Sequence, residues 1–221
     1  HSISGPEVTM IDGQGQNGRG ILCVNNETNE TIIEGFTILN CVTQEAGAGM
    51  LCINASPTVI NCEFTNNISM YSFGGGIHNA SSDTELYDCN FIENSAFKGG
   101  GVSNIDSNPI IARCQIKDNI ATIGGGMFNE NSNATLFHTM ICHNEPNQVE
   151  GEFVDGGGNF VSALCFIACP DFDGNQQVDV DDLLQLIGQW GNSDVDEDLN
   201  IDGTVDIYDL LLLLGHWGPC E

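Results

Sequence analysis

A glycine-led hexapeptide recurs six times before residue 165: GRGILC from Gly18, GAGMLC from Gly47, GGGIHN from Gly74, GGGVSN from Gly99, GGGMFN from Gly124 and GGGNFV from Gly156. Successive starts lie 29, 27, 25, 25 and 32 residues apart. Between them runs a second pattern, seen in TVINCEFTNN, ELYDCNFIEN and IIARCQIKDN. Each repeat therefore reads as glycine corner, short strand, polar turn, alternating apolar strand and Asn-rich turn. Repeats this short leave no room for the crossover helix of a βαβ unit. A unit that cannot bury its own apolar face must stack on its neighbours, so the pattern predicts a solenoid.

Stacked coils place equivalent residues about 4.8 Å apart, which predicts ladders of like side chains. Cys62, Cys89 and Cys114 fall in one such column, with Thr139 next in line. Cys23, Cys52, Asn79, Asn104 and Asn129 form another. Stacked Asn amides can hydrogen-bond along the axis. The ladder cysteines are expected to be buried free thiols that pack as small hydrophobes.

With its GGG-aliphatic segments and F-x-x-N elements, Phe64 to Asn67 and Phe91 to Asn94, the chain resembles a right-handed parallel β-helix over residues 1 to about 165. The repeats are similar to those of polymorphic outer-membrane adhesins, with GGG where that family favours GGA. This resemblance implies a fold; β-helices include lyases, hydrolases, adhesins and fibre proteins.

A different unit occurs twice near the C-terminus, DFDGNQQVDVDDLLQLIGQWG from Asp171 and DLNIDGTVDIYDLLLLLGHWG from Asp198. The first copy sets Asp171, Asp173, Asn175, Gln177 and Asp182 at loop positions 1, 3, 5, 7 and 12; the second sets Asp198, Asn200, Asp202, Thr204 and Asp209 there. Alternate oxygen donors closed by a carboxylate on the following helix suit a hard cation such as Ca²⁺. Asp179 and Asp206, at position 9, are expected to bind through water. Leu183, Leu186, Ile187 and Trp190 form a helical apolar stripe repeated by Leu210, Leu213, Leu214 and Trp217. Val178 and Val205 are expected to pair as a short ribbon, and Gly191 and Gly218 to end the helices.

Paired loops without an entering helix, closed by Asp, resemble a type I dockerin module over residues 169 to 220. The resemblance implies two Ca²⁺ ions, calcium-dependent folding and docking of a helical face onto a cohesin. Cys169 and Cys220 flank the module, and a disulfide clasp between them is expected. Two departures stand out. Gln176 replaces the turn glycine and needs a positive φ, and Val180-Asp181 and Ile207-Tyr208 stand where the family carries its Ser-Thr recognition pair.

The expected architecture is mainly β, a β-helix of about six coils over residues 1–168, with a small helical paired EF-hand-like domain over 169–221. The formal charge is -27, with Arg19, Lys98, Arg113 and Lys117 the only Lys or Arg residues. Such a chain repels phosphate backbones and polyuronates and attracts cations. Ten cysteines point to an oxidising, extracellular or cell-surface location. The longest all-apolar stretch of the C-terminal copy, Leu210 to Leu214, is too short to span a membrane. Without a secretory leader, the chain is expected to be a mature or excised segment.

No HExxH, GxSxG or Ser-His-Asp pattern is present. Arg113 and Lys117 could share a groove, Glu85, Asp88 and Glu93 could pair across coils, and His138 and His143 read as surface residues. The expectation is a non-enzymatic extracellular assembly protein. Its calcium-loaded module would dock on the β-helix of the next identical subunit, giving a fibre or surface layer. The alternative is an adhesin or glycan-binding β-helix anchored by its dockerin to a cohesin-bearing scaffold. A polysaccharide-degrading enzyme is the third reading.

Overall fold

The computed structural model of the chain describes residues 2, 5–163, 165, 169–192, 195, 197–199 and 204–220. Two compact units emerge, His1–Leu164 and Cys165–Glu221.

The first unit is a parallel β-solenoid. Its strands form four stacked sheets of seven, six, six and four members, which amounts to about six turns. One turn contains Thr58–Ile60, Glu63–Thr65, Ile68–Phe73 and Ile77–Ala80; the next repeats it as Glu85–Tyr87, Asn90–Ile92, Ser95–Lys98 and Val102–Ile105. A full turn thus has four strands where the sequence pattern suggested two. The apparent single strand in TVINCEFTNN is broken at Asn61, which has a φ of 48°. Asp88, Arg113 and His138 take left-handed backbone at the same corner of later turns. The corner is filled by four different residue types, Arg113 among them, so the bend leaves no uniform mark in the sequence.

The inward column Ile38, Phe64, Phe91, Ile116 and Ile141 is in register through one sheet and fully buried. Phe64 and Phe91 stack at 5.0 Å between centroids with nearly parallel rings. The glycine signature follows from this packing. A Cβ on Gly76 would lie 2.5 Å from the Gly101 carbonyl oxygen and 2.9 Å from the Phe91 ring. Any larger residue there pushes two turns apart. The sixth glycine run does not occupy this corner. Val149–Glu150 pairs with Met127–Phe128, so Gln148 stands where the glycine would be, and the Gly157 carbonyl instead accepts from His138 N–H at another corner. No further described turn stacks on Gln148, and the steric demand for glycine lapses there.

Two amide ladders run through the turns. In the column seen in the sequence, Asn79 donates to Asn104 at 2.9 Å and Asn104 to Asn129 at 2.8 Å. A second ladder, Asn67, Asn94, Asn119 and Asn144, grows out of the F-x-x-N element and continues past the two turns in which the phenylalanine made it visible. Gln148 closes it by accepting from the Asn144 amide at 2.9 Å.

Cys62, Cys89 and Cys114 are buried free thiols, as expected, but they do more than fill space. The Cys114 thiol shares its one S–H between the Ala112 and Leu86 carbonyls at 3.3 and 3.6 Å, while its sulfur accepts from Cys89 N–H at 3.4 Å. Thr139 Oγ1 makes the same set of bonds one turn later. Replacing Cys114 by Thr should therefore cost less than about 1 kcal/mol. Val, of the same shape but without the hydroxyl, should cost about 1–3 kcal/mol by orphaning these groups. Urea midpoints of the two variants measure the difference, and equal midpoints would refute the polar role.

His78 lies on the outer side of its strand yet is only 5% exposed, because Phe73 stacks on its ring at 5.4 Å. Burial pulls its pKa down from 6.5 to about 4. The unfolded chain then takes up a proton near pH 6.5 that the folded chain refuses until about pH 4. Stability attributable to this residue is complete above that window and lost as pH falls through it, by roughly 3 kcal/mol. Relative to His78→Leu, the native protein should show an extra loss of urea resistance between those pH values. Parallel pH profiles for the two proteins would rule this out.

The second unit contains α1, Val180–Gly188, and α2, Ile207–Gly215. Both end three residues before Gly191 and Gly218, which were expected to stop them. Val178, Leu186, Leu199, Val205 and Leu213 form its core. Val178 and Val205 are both buried but do not pair with each other. Gln177–Val178 instead runs antiparallel to Gly218–Pro219, while Gly191 N–H donates to the Val205 carbonyl and Val205 N–H to Asn192. Residues 178 and 205, like 191 and 218, are 27 apart. Each repeat therefore completes the other, with one loop bonded to the segment after the opposite helix. A disulfide joins Cys169 to Cys220, with Cα atoms 5.5 Å apart. Cys142 and Cys165 are also disulfide-bonded, whereas Cys41 is a free buried thiol.

Candidate metal centre

The loop before α1 is folded around Asp171. Its Oδ1 accepts from the backbone of Gly174 at 2.8 Å and Asn175 at 3.1 Å, and its Oδ2 from Gln176 at 2.7 Å. Asp173 Oδ1 accepts from Asn175 N–H at 3.0 Å, and Asn175 Oδ1 from Gln177 N–H at 2.8 Å. Gln176 has the positive φ that its position demands, 69°.

Asp182 closes the loop from inside the first turn of α1. It is fully buried; Oδ1 accepts from Phe172 N–H at 2.7 Å and Oδ2 from Asp179 N–H at 2.8 Å. Ligand atoms of Asp171, Asp173 and Asp182 all lie within 4.8 Å of one another. Partial desolvation raises the exposed Asp173 carboxyl above its ordinary range, with the negative charges of Asp182 and Asp171 acting in the same direction. Partial desolvation also opposes ionisation of Asp171, but the N–H groups of Gln176, Asn175 and Gly174 outweigh it and hold that carboxyl low.

Asp179 and Asp206, assigned by spacing to loop position 9, are the N-caps of α1 and α2. Asp179 Oδ1 accepts from Asp181 N–H and Asp206 Oδ1 from Tyr208 N–H, each at 2.8 Å. Asp182 and Asp209 return the bond to the cap backbone, completing a capping box at each helix. The D-x-x-D spacing at the head of each apolar stripe carries that signal in the sequence. In the second loop, Asp198 and Asp209 are buried and Thr204 is exposed. Asn200 and Asp202 lie outside the described residues, so the second ligand set is only partly placed.

The first loop fits a hard divalent cation. Three carboxylates converge, and Asp171 Oδ2, Asp173 Oδ1 and both Asp182 oxygens, each accepting from one N–H, retain a second lone pair. From Cys165 onward the unit has thirteen carboxylate side chains and no Lys or Arg. The converging charge therefore has no internal basic side chain to neutralise it. Asp171, Asp173 and Asp182 would hold the ion, with Asn175 Oδ1 and the Gln177 carbonyl in the loop positions that complete an oxygen shell.

The expected apolar stripes divide into two parts. Leu186 and Leu213 are buried and Leu183 and Leu210 half-buried, but Ile187, Trp190, Leu214 and Trp217 remain between 46% and 49% exposed. With Val180, Leu184, Ile207 and Leu211 they make two matching exposed stripes, each residue 27 positions from its counterpart. The small core holds only one side of each helix, so the Trp residues are outside it.

In the solenoid, Arg113 and His143 each pair with a carboxylate one turn away. Arg113 is clamped bidentately to Asp88 at 2.7 and 2.8 Å and lies over the Tyr87 ring, not beside Lys117 in a groove. His143 is exposed and contacts Asp118 at 3.0 Å; His138 is half-buried. Glu93 occupies a different corner from Asp88, lining a shallow groove with Asp12, Asn40 and Asn66. No described helix is long and apolar enough to cross a membrane. Comparison with family models, with curated proteins and with solved structures returns no match.

Proposed function

We propose that the chain is an extracellular, non-enzymatic assembly protein whose C-terminal unit is a dockerin-like module. The module binds Ca²⁺ through Asp171, Asn175, Gln177 and their neighbours, and through the equivalent second loop. In this reading it uses its helices to dock on the solenoid of another copy. The observation that carries the reading is the duplicated exposed stripe, Val180, Leu184, Ile187 and Trp190 against Ile207, Leu211, Leu214 and Trp217. Large apolar side chains repeated on two short helices are a feature of docking surfaces rather than of an isolated calcium buffer. The disulfide-bonded cysteines agree with an oxidising compartment.

A contact between a module on one copy and the solenoid of the next is heterologous and propagates into a filament or layer. Electron microscopy and sedimentation velocity, with calcium and after chelation, test this. Filaments or large species that fragment on chelation support it, and Leu184→Asp with Leu211→Asp should abolish them. A monodisperse monomer in calcium sinks self-assembly. Recovery of a distinct scaffold protein in calcium-dependent pull-downs would favour the anchored-adhesin reading instead.

A further inference from the structure

Six cysteines are free thiols, and four of them are committed to the backbone. Cys41 donates to the Leu39 carbonyl at 3.5 Å, and Cys62, Cys89 and Cys114 donate to carbonyls of their own and the preceding turn. Cys23 and Cys52 differ. They stand directly opposite each other on paired parallel strands, Ile21–Cys23 and Met50–Ile53, and both are buried. Neither thiol bonds to a carbonyl; instead the two face each other across the strand pair, close enough for each to shift the other's ionisation.

In later turns this column is filled by Asn79, Asn104 and Asn129, joined by amide hydrogen bonds. The amide chain stops at Asn79, whose buried Oδ1 has no partner. The two turns below it therefore lack the side-chain link present above. We propose that Cys23 and Cys52 form a reversible disulfide that supplies this link covalently and clasps the first two turns of the solenoid.

The geometry allows the bond and makes it labile. Residues facing each other on parallel strands lie about 4.8 Å apart, inside the 4.4–6.8 Å range of Cα separations in disulfides but at its tight end. Ile21–Cys23 is the end strand of its sheet among the described residues. A bond at the edge of the allowed geometry is more reducible than a relaxed one. It is thus distinct in kind from a structural clasp such as Cys169–Cys220.

The chemistry is thiol–disulfide exchange with a small-molecule disulfide. Cys23, the more exposed of the pair, has a pKa lowered by the hydrogen bond from Cys52 against the opposing effects of burial and Glu27. It loses its proton, attacks the reagent and expels one thiolate, leaving a mixed disulfide. Cys52 then loses its proton, attacks the Cys23 sulfur and expels the second thiolate. Two protein thiols are oxidised, one reagent disulfide is reduced to two thiols, and excess small thiol drives the reverse.

The test uses the whole chain, incubated with oxidised glutathione at a urea concentration that leaves its circular dichroism native. It is then denatured with N-ethylmaleimide and analysed by intact mass and peptide mapping. The number of alkylated thiols should fall from six to four, with the loss at Cys23 and Cys52, and return to six in reduced glutathione. A Cys23→Ser variant should hold at five in either buffer. Six thiols that persist, a stable glutathione adduct, or a loss mapped to Cys62, Cys89 or Cys114 would each overturn the proposal. None of these outcomes depends on calcium or docking.

Discussion

Replacing Asp182 with alanine is expected to unfold the C-terminal unit and leave the solenoid transition in place. Asp182 is fully buried and supplies the acceptors for Phe172 N–H and Asp179 N–H. Truncation orphans both donors at about 1–3 kcal/mol each and breaks a capping box. The total, about 4 kcal/mol, compares with roughly 3–9 kcal/mol of stability for a unit this small. Both tryptophans of the chain, Trp190 and Trp217, lie in this unit, so fluorescence follows its melting separately from the solenoid. A fluorescence transition unmoved by the substitution would contradict the role assigned to Asp182. Calcium supplies a second reading of the same residue. At a hundredfold excess over its dissociation constant, an ion bound to the native state adds about 2.7 kcal/mol per site. The wild-type transition should rise on adding calcium, and Asp182→Asn, which keeps the shape but not the charge, should lose the first loop's share of that rise.

Asn94→Ala should be among the most damaging single changes in the solenoid, at about 3–5 kcal/mol. All four hydrogen-bonding positions of this buried amide are used. Oδ1 accepts from Asn67 N–H and Nδ2, both at 3.0 Å, while Nδ2 donates to the Phe64 carbonyl at 2.8 Å and to Asn119 Oδ1 at 3.0 Å. Alanine leaves partners on the turns before and after without a bond, in a medium where each orphan is costly. Asn94→Asp separates this explanation from simple loss of volume. Its carboxylate would face two oxygens, so the buried acid's pKa rises, and the variant should regain stability as pH falls and the proton restores a donor. Urea unfolding across a pH series reads both variants. A cost below 1 kcal/mol for Asn94→Ala would show that the ladder is incidental.

The solenoid was legible because its constraints repeat. A Cβ at Gly76 or Gly101 collides with the next turn, so the glycine recurs, and the Asn79 column recurs because each amide needs its neighbour. What does not repeat chemically was invisible. The corner at Asn61, Asp88, Arg113 and His138 is one backbone conformation held by four residue types, so two strands read as one. Gly156 read as a sixth start because composition cannot tell a glycine that avoids a steric clash from one at a different bend. In the C-terminal unit, the spacing of Asp171, Asp173 and Asp182 anticipated their convergence. The capping role of Asp179 and Asp206 was masked because the same carboxylates also satisfy a loop pattern.

From the sequence alone came the stacking of short repeats, the glycine corner, the first amide column and the duplication at the C-terminus. All of these are local or periodic, and each position carries its own requirement. Tertiary structure decided what depends on unlike, distant residues. It paired Val178 with Gly218 rather than Val205, left Trp190 and Trp217 outside the small core, and gave Cys41, Cys62, Cys89 and Cys114, but not Cys23 and Cys52, a carbonyl partner. The physical reason is that a repeat fixes which residues are equivalent, whereas the side chain that faces each one is fixed only when the chain closes on itself.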